Sequence, residues 1–73
     1  MENPFNCMAI VEETFNEIKV LGICRVLGCT KEEGFEVELY DHRIMHCDHI
    51  VPLYEWQEYV DSREAKVTNI LES

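Results

Sequence analysis

A chain of 73 residues buries one modest core, because a domain of this size removes only about 60% of its unfolded surface from water. We therefore predict a single domain over residues 1–73. The formal net charge of −9, without a Lys/Arg cluster to neutralise phosphate, excludes direct nucleic-acid binding and disfavours an anionic membrane.

The first half of the chain predicts two strands. Residues 5–11 form a short apolar stretch that suits a strand, and residues 14–17 suit a turn. Residues 18–29 are rich in β-branched side chains and contain Gly22 and Gly28, which favours a bent strand over a helix. The polar stretch that follows, up to Gly34, has the length of a hairpin connection.

The clearest strand pattern runs over residues 34–40, where apolar and acidic side chains alternate. The apolar positions are Phe35, Val37 and Leu39. Glu36 and Glu38 lie on the opposite face, so the strand has one buried side and one side in water. A turn at 41–43 and a further strand over 44–51 follow.

The last third of the chain predicts helix. Apolar residues recur there at spacings of 3, 4 and 7: Leu53, Trp56, Val60, Val67 and Leu71. Asp61, with Glu64 three residues later, resembles a helix N-cap, so we expect one or two helical turns and then a C-terminal helix. The predicted fold is mainly β (α+β). It is an SH3-like bent sheet or partly open barrel of four to five antiparallel strands with a C-terminal helix.

The lengths of the uncharged stretches and the cysteines predict the cellular compartment. The longest stretch without a charge is residues 3–11, too short for a transmembrane helix or a secretory signal, so we expect a cytoplasmic protein. The four cysteines are then expected to be reduced thiols, three of them as small core residues. They are Cys7, Cys24, Cys29 and Cys47.

The densest cluster of polar side chains lies in residues 41–49. It contains Asp41, His42, His46, Cys47, Asp48 and His49. These are zinc or copper ligand types, but their spacing is not that of paired ligands, and neighbours on a strand point to opposite faces. Two interpretations stay open: a transition-metal site, or polar edge-strand residues beside a core Cys47. The same divergence separates His46 from Cys47 as a catalytic pair, and we predict no enzyme activity.

Calcium is a different possibility, because it takes six to eight oxygen ligands with loose geometry. No EF-hand loop is present. Acidic loops flank the alternating strand at its two ends, and Asp48 lies further along the chain. From these acids we name four candidate calcium ligands. They are Glu32, Glu33, Asp41 and Asp48.

Short motifs in a fixed order connect the chain to a known family. They are Pro4-Phe5, Val26-Leu27-Gly28 before an acidic loop, the alternating strand, Arg43, and Val51-Pro52-Leu53 before a helix. Over residues 4–56 the chain resembles the cyanobacterial-type calcium-binding protein family. That resemblance implies a compact β-barrel-like domain that binds calcium through carboxylates and backbone oxygens, as a buffer or regulator. The chain departs from the family pattern in being shorter. The family pattern also does not explain the four cysteines of this chain.

The alternative is an acidic interaction module that docks on a basic protein surface, or that mimics nucleic acid to inhibit a nucleic-acid-binding protein. Its surface would combine acids that share a face with an aromatic anchor. The candidate residues are Glu36, Glu38, Glu55, Trp56, Glu58 and Tyr59. Helical spacing favours Trp56 as a core residue over a surface anchor.

Overall fold

The computed structural model describes residues 3–71, which contain six strands and one helix. In chain order these are β1 (Cys7–Glu13), β2 (Glu17–Thr30), β3 (Gly34–Leu39), β4 (Ile44–Cys47), β5 (His49–Pro52), α1 (Leu53–Arg63) and β6 (Lys66–Asn69). Within this part of the chain, no helix is long and apolar enough to cross a membrane.

The strands form one bent sheet in the order β4-β3-β2-β1-β5, with antiparallel neighbours. β4 and β5 lie at opposite ends of this order, yet Asp48 alone separates them in the chain. The sheet must therefore curl so that its two end strands approach each other at Asp48, although they do not pair. At the corner, the Asp48 N–H donates to the Ile10 carbonyl at 3.1 Å. The predicted bent sheet or partly open barrel is confirmed.

The long strand β2 organises the sheet, because it pairs with three other strands. One edge pairs with β1, and the other edge pairs first with β6 and then with β3. The change of partner falls at Gly22, which has a φ of 128°. Residues with a side chain rarely adopt this conformation. Gly22 thus supplies the predicted bend.

Two apolar clusters fill the inside of the curled sheet. The first contains Ala9, Leu21, Cys24, Val37, Leu39 and Cys47. The second contains Ile10, Ile18, Val20 and Val51. Helix α1 covers this second cluster with Trp56, Tyr59 and Val60. The burial of Val37 and Leu39 confirms the alternation predicted for β3.

The C-terminal helix is present, but it begins at Leu53 rather than near Asp61. It ends where Glu64 adopts a left-handed φ of 48° and donates its N–H to the Asp61 carbonyl at 3.1 Å. The chain then runs parallel to β2 as β6. The open β2 edge accounts for this outcome, because its unpaired backbone groups gain partners from an extended segment and not from a helix.

Candidate functional site

Three of the four candidate calcium ligands lie at one end of β3. Glu32 and Glu33 occupy the β2–β3 turn, and Asp48 joins β4 to β5. The β3–β4 register brings Asp48 beside this turn, since a Cβ added to Gly34 would lie 3.7 Å from the Asp48 Cα. We call Glu32, Glu33 and Asp48 the acidic end.

Asp41 lies at the other end of β3, about 20 Å away at 3.3 Å per residue over a six-residue strand. Its carboxylate is held by Arg43, whose Nε lies 2.5 Å from Oδ2 and whose backbone N–H donates to Oδ1 at 3.1 Å. These contacts, the backbone hydrogen bond first, hold the pKa of Asp41 below its ordinary value. Across residues 3–71, no three metal-ligating side chains converge on one point.

The histidines and Cys47 do not share one site. Cys47 is buried, and its thiol donates to the His49 carbonyl at 3.3 Å. Burial raises the pKa of this thiol, which favours the neutral form over the thiolate that binds metal. The exposed His42 and His46 pair instead with carboxylates; His46 Nε2 lies 3.1 Å from an oxygen of Glu33. This geometry favours the interpretation of Cys47 as a core residue.

The two candidate acids on β3 differ in how far their charge is compensated. Glu38 accepts a hydrogen bond from Arg25 and pairs with His42 at 3.0 Å. The His42 contact, followed by the Arg25 contact, lowers its pKa. Glu36 has a weaker partner, with 3.9 Å between its carboxylate and His46 Nε2. Glu38 is therefore neutralised by its neighbours, and Glu36 is only partly so.

The two candidate aromatic residues of α1 lie on its inner side. Trp56 and Tyr59 pack against the second apolar cluster. The Tyr59 hydroxyl donates to Glu13, and the Arg63 guanidinium lies 3.5 Å from the centre of the Tyr59 ring. Glu13 also pairs with Arg63 at 2.9 Å. These contacts fasten α1 to β1 rather than offer an aromatic anchor to solvent.

Tyr54 lies outside the candidate set, although it is one of the three aromatic residues of the stretch that forms α1 and the one that faces water. Its side chain is 88% exposed. Glu58 and Asp61 follow at i+4 and i+7, so the three residues form one stripe opposite the packed side. We call this stripe the outer face of α1. The signal was available, since positions 54, 58 and 61 are the complement of the apolar positions 53, 56 and 60.

Two grooves in the described part of the chain are large enough to bind a ligand or a side chain of a partner. One of about 510 Å³ lies where β2 changes partner and has an apolar lining that includes Met8, Leu21, Ile23, Leu39, Val67 and Leu71. The other, of about 390 Å³, separates α1 from β5, and we call it the α1–β5 groove. Ile50, Val51 and Pro52 line it on the β5 side, while Glu55 and Glu58 line it on the helix side.

The outer face of α1 and the α1–β5 groove adjoin, because Glu58 belongs to both. Together they combine uncompensated carboxylates, one exposed aromatic ring and a concave apolar wall. The outer face of α1 with its groove and the acidic end of β3 are therefore the two candidate binding regions. No known protein family, curated protein or solved structure matches this chain.

Proposed function

We propose that this chain is an acidic protein-interaction module that docks on a basic surface of a partner protein through the outer face of α1. The observation that carries the proposal is the 88% exposure of Tyr54 on the same stripe as Glu58 and Asp61. Tyrosine is enriched at interface hot spots, and carboxylates around it would steer a basic partner into place.

The negative charge of this face is free to act on a partner. Within the described residues, Glu55, Glu58 and Asp61 form no ion pair, and Arg63, the one base of α1, is already paired with Glu13. The acids elsewhere are partly compensated, as Arg43 shows for the β3–β4 turn. Nucleic-acid-binding proteins carry basic surfaces, because they neutralise phosphates with lysine and arginine. On such a partner the module would mimic nucleic acid and inhibit the partner's binding to nucleic acid.

The test compares two variants with the same net charge. The α1 variant carries Glu55→Gln, Glu58→Gln and Asp61→Asn; the control carries Glu32→Gln, Glu33→Gln and Glu36→Gln. Each changes the formal net charge from −9 to −6. Proteins captured from a cell extract at about 50 mM NaCl are identified, and affinities of the purified partner are measured.

We expect the wild type and the control to bind a basic protein that the α1 variant loses. Tyr54→Ala, which removes no charge and no core contact, should weaken binding by at least about tenfold, as hot-spot truncations do. Equal loss in both triple variants would show that net charge alone drives capture and would exclude docking through α1. Failure to recover any basic protein at low salt would exclude the module altogether.

We propose calcium binding at the acidic end as a second candidate function, in which the protein acts as an ion buffer or regulator. Its support is that Glu32, Glu33 and Asp48 share one end of β3, where the Cys47 carbonyl also faces Gly34. Carboxylates, a backbone carbonyl and water are the ligands that calcium takes. Binding would relieve the repulsion among these acids and stabilise the fold.

Calorimetric titration with calcium chloride, with magnesium chloride as the comparison, tests this second candidate. A saturating ligand at 100 times its Kd stabilises by about 2.7 kcal/mol, which a thermal shift detects readily. We expect Glu33→Gln/Asp48→Asn to abolish the heat and the shift, and Glu55→Gln/Glu58→Gln to leave both intact. The absence of both heat and a thermal shift at about 1 mM calcium would exclude this function.

A further inference from the structure

We infer that the α1–β5 groove receives an arginine side chain of the partner, an inference that rests on the proposed docking through α1. The groove has a volume of about 390 Å³, within the range of sites that enclose small ligands. It runs beside the outer edge of β5, the last strand of the sheet order. A segment of another protein can therefore reach it directly.

The β5 side of the groove suits the stem of a long basic side chain. Ile50, Val51 and Pro52 line it, and all three are only partly exposed or buried. Arginine and lysine pack their methylene groups along such apolar surface while the charged head stays near water. The wall thus contributes contact area without demanding that a charge be buried.

The helix side suits the guanidinium head. Glu55 and Glu58 are three residues apart on α1, so their carboxylates are neighbours on one rim. Neither forms an ion pair within residues 3–71. Arginine presents five N–H donors in a planar fork that can serve two carboxylates together, whereas a lysine ammonium is a single point of charge. The pair of acceptors therefore favours arginine.

The chain itself shows this mode of recognition at the end of the same groove. Arg63 lies over the Tyr59 ring at 3.5 Å from its centre and donates from Nε to Glu13 at 2.9 Å. Both residues of the Arg63–Tyr59 pair line the groove. An incoming guanidinium would likewise meet carboxylates, with the aliphatic β5 wall in place of the Tyr59 ring. Because Arg63 is already engaged, it leaves Glu55 and Glu58 to the partner.

The test is an NMR titration of the ¹⁵N-labelled full chain with tri-arginine, and with tri-citrulline as the uncharged isostere. We expect tri-arginine to give saturable shifts in the amides of residues 50–51 and 55–62, with little response to tri-citrulline. Glu55→Gln/Glu58→Gln should weaken tri-arginine binding by about tenfold. Glu32→Gln/Glu33→Gln, with the same formal net charge of −7, should leave the affinity unchanged.

Shifts centred on residues 31–36, equal binding of tri-citrulline, or equal weakening in both double variants would overturn the inference. The thermal midpoints of the variants confirm that each is folded. If tri-arginine misses the groove but Tyr54→Ala still abolishes capture of the partner, the groove inference fails and the docking proposal stands. If tri-arginine occupies the groove while Tyr54→Ala and the α1 triple variant still capture the partner as the wild type does, the proposed docking through α1 fails.

Discussion

Replacing Gly34 with alanine should destabilise the protein strongly. Gly34 has a φ of 79°, and a Cβ there would lie 2.5 Å from the backbone carbonyl oxygen of Cys47. The left-handed conformation costs an alanine about 1–2 kcal/mol. Moving a backbone carbonyl out of the way costs about 1–3 kcal/mol more. We expect a total loss of about 3 kcal/mol, a large share of the ~4–11 kcal/mol expected for a chain of this length.

The other two glycines provide matched controls. A Cβ at Gly28 would meet no atom within 4 Å, so Gly28→Ala should change the free energy of unfolding by no more than about 1 kcal/mol, in either direction. Gly22 combines a φ of 128° with its nearest contact at 3.5 Å, the Asn69 side chain. Gly22→Ala should therefore lose only the backbone term, about 1–3 kcal/mol.

Urea unfolding followed by tryptophan fluorescence and by circular dichroism measures all three variants. With a slope of about 1 kcal/mol per molar urea, Gly34→Ala should lower the midpoint by about 3 M, while Gly28→Ala should scarcely move it. The expected order of midpoints is Gly28→Ala, Gly22→Ala, Gly34→Ala, from highest to lowest. A Gly34→Ala midpoint equal to that of Gly28→Ala would refute the close approach of the β2–β3 turn to the β4–β5 corner.

Three further predictions follow from buried and paired groups. In thiol labelling of the native protein, the exposed Cys29 should react first and the half-buried Cys7 more slowly, while the two buried thiols react only on unfolding; uniform rates would contradict the packing. Hydrogen bonds from Tyr59 and Arg63 lower the pKa of Glu13, so stability present above its ordinary pKa is lost as pH falls through the folded-state value. Glu13→Gln should flatten that acid limb in unfolding scans. Burial raises the pKa of Cys24 from 9.0 to about 12, so stability should fall as pH rises across that window, and less so in Cys24→Ala.

Local patterns predicted the centre of the sheet. The alternation of Phe35, Val37 and Leu39 with glutamates fixes the two faces of β3, because the side-chain period of a strand is two. The glycine-containing run that became β2 predicted a bend, because Gly22 is compatible with a backbone conformation that other residues avoid. Such features depend on residues that are neighbours in sequence, so they are visible without a structure.

Features that depend on distant residues were harder to predict. The run from Ile44 to Val51 is one strand by pattern, but Asp48 breaks it because β4 pairs with β3 and β5 pairs with β1. Residues 66–69 became a strand because the β2 edge at Glu17–Val20 was open. Neither partner is near in sequence, and tertiary pairing overrides the weak local preference.

The candidate site shows the same division. The sequence placed Glu32 and Asp41 in loops at the two ends of β3, and a six-residue strand already separates such loops by about 20 Å. What it did not show was which acids have partners. Arg63 reaches Glu13 across 50 residues of chain, which leaves the α1 carboxylates without an ion pair among residues 3–71. The exposure of Tyr54, in contrast, follows from local pattern, because position 54 falls outside the apolar spacing of positions 53, 56 and 60.

The parallel pairing of β6 with β2 has a consequence for synthesis of the chain on the ribosome. Residues 17–20 are synthesised before their partners at 66–69, which lie much further along the chain. Until those partners are made, this edge of β2 has open hydrogen-bonding groups, which are a template for association with other chains. A nascent or truncated chain that lacks residues beyond Arg63 should therefore aggregate through this edge. We therefore expect the short strand β6 to protect the newly made protein as well as to complete the sheet.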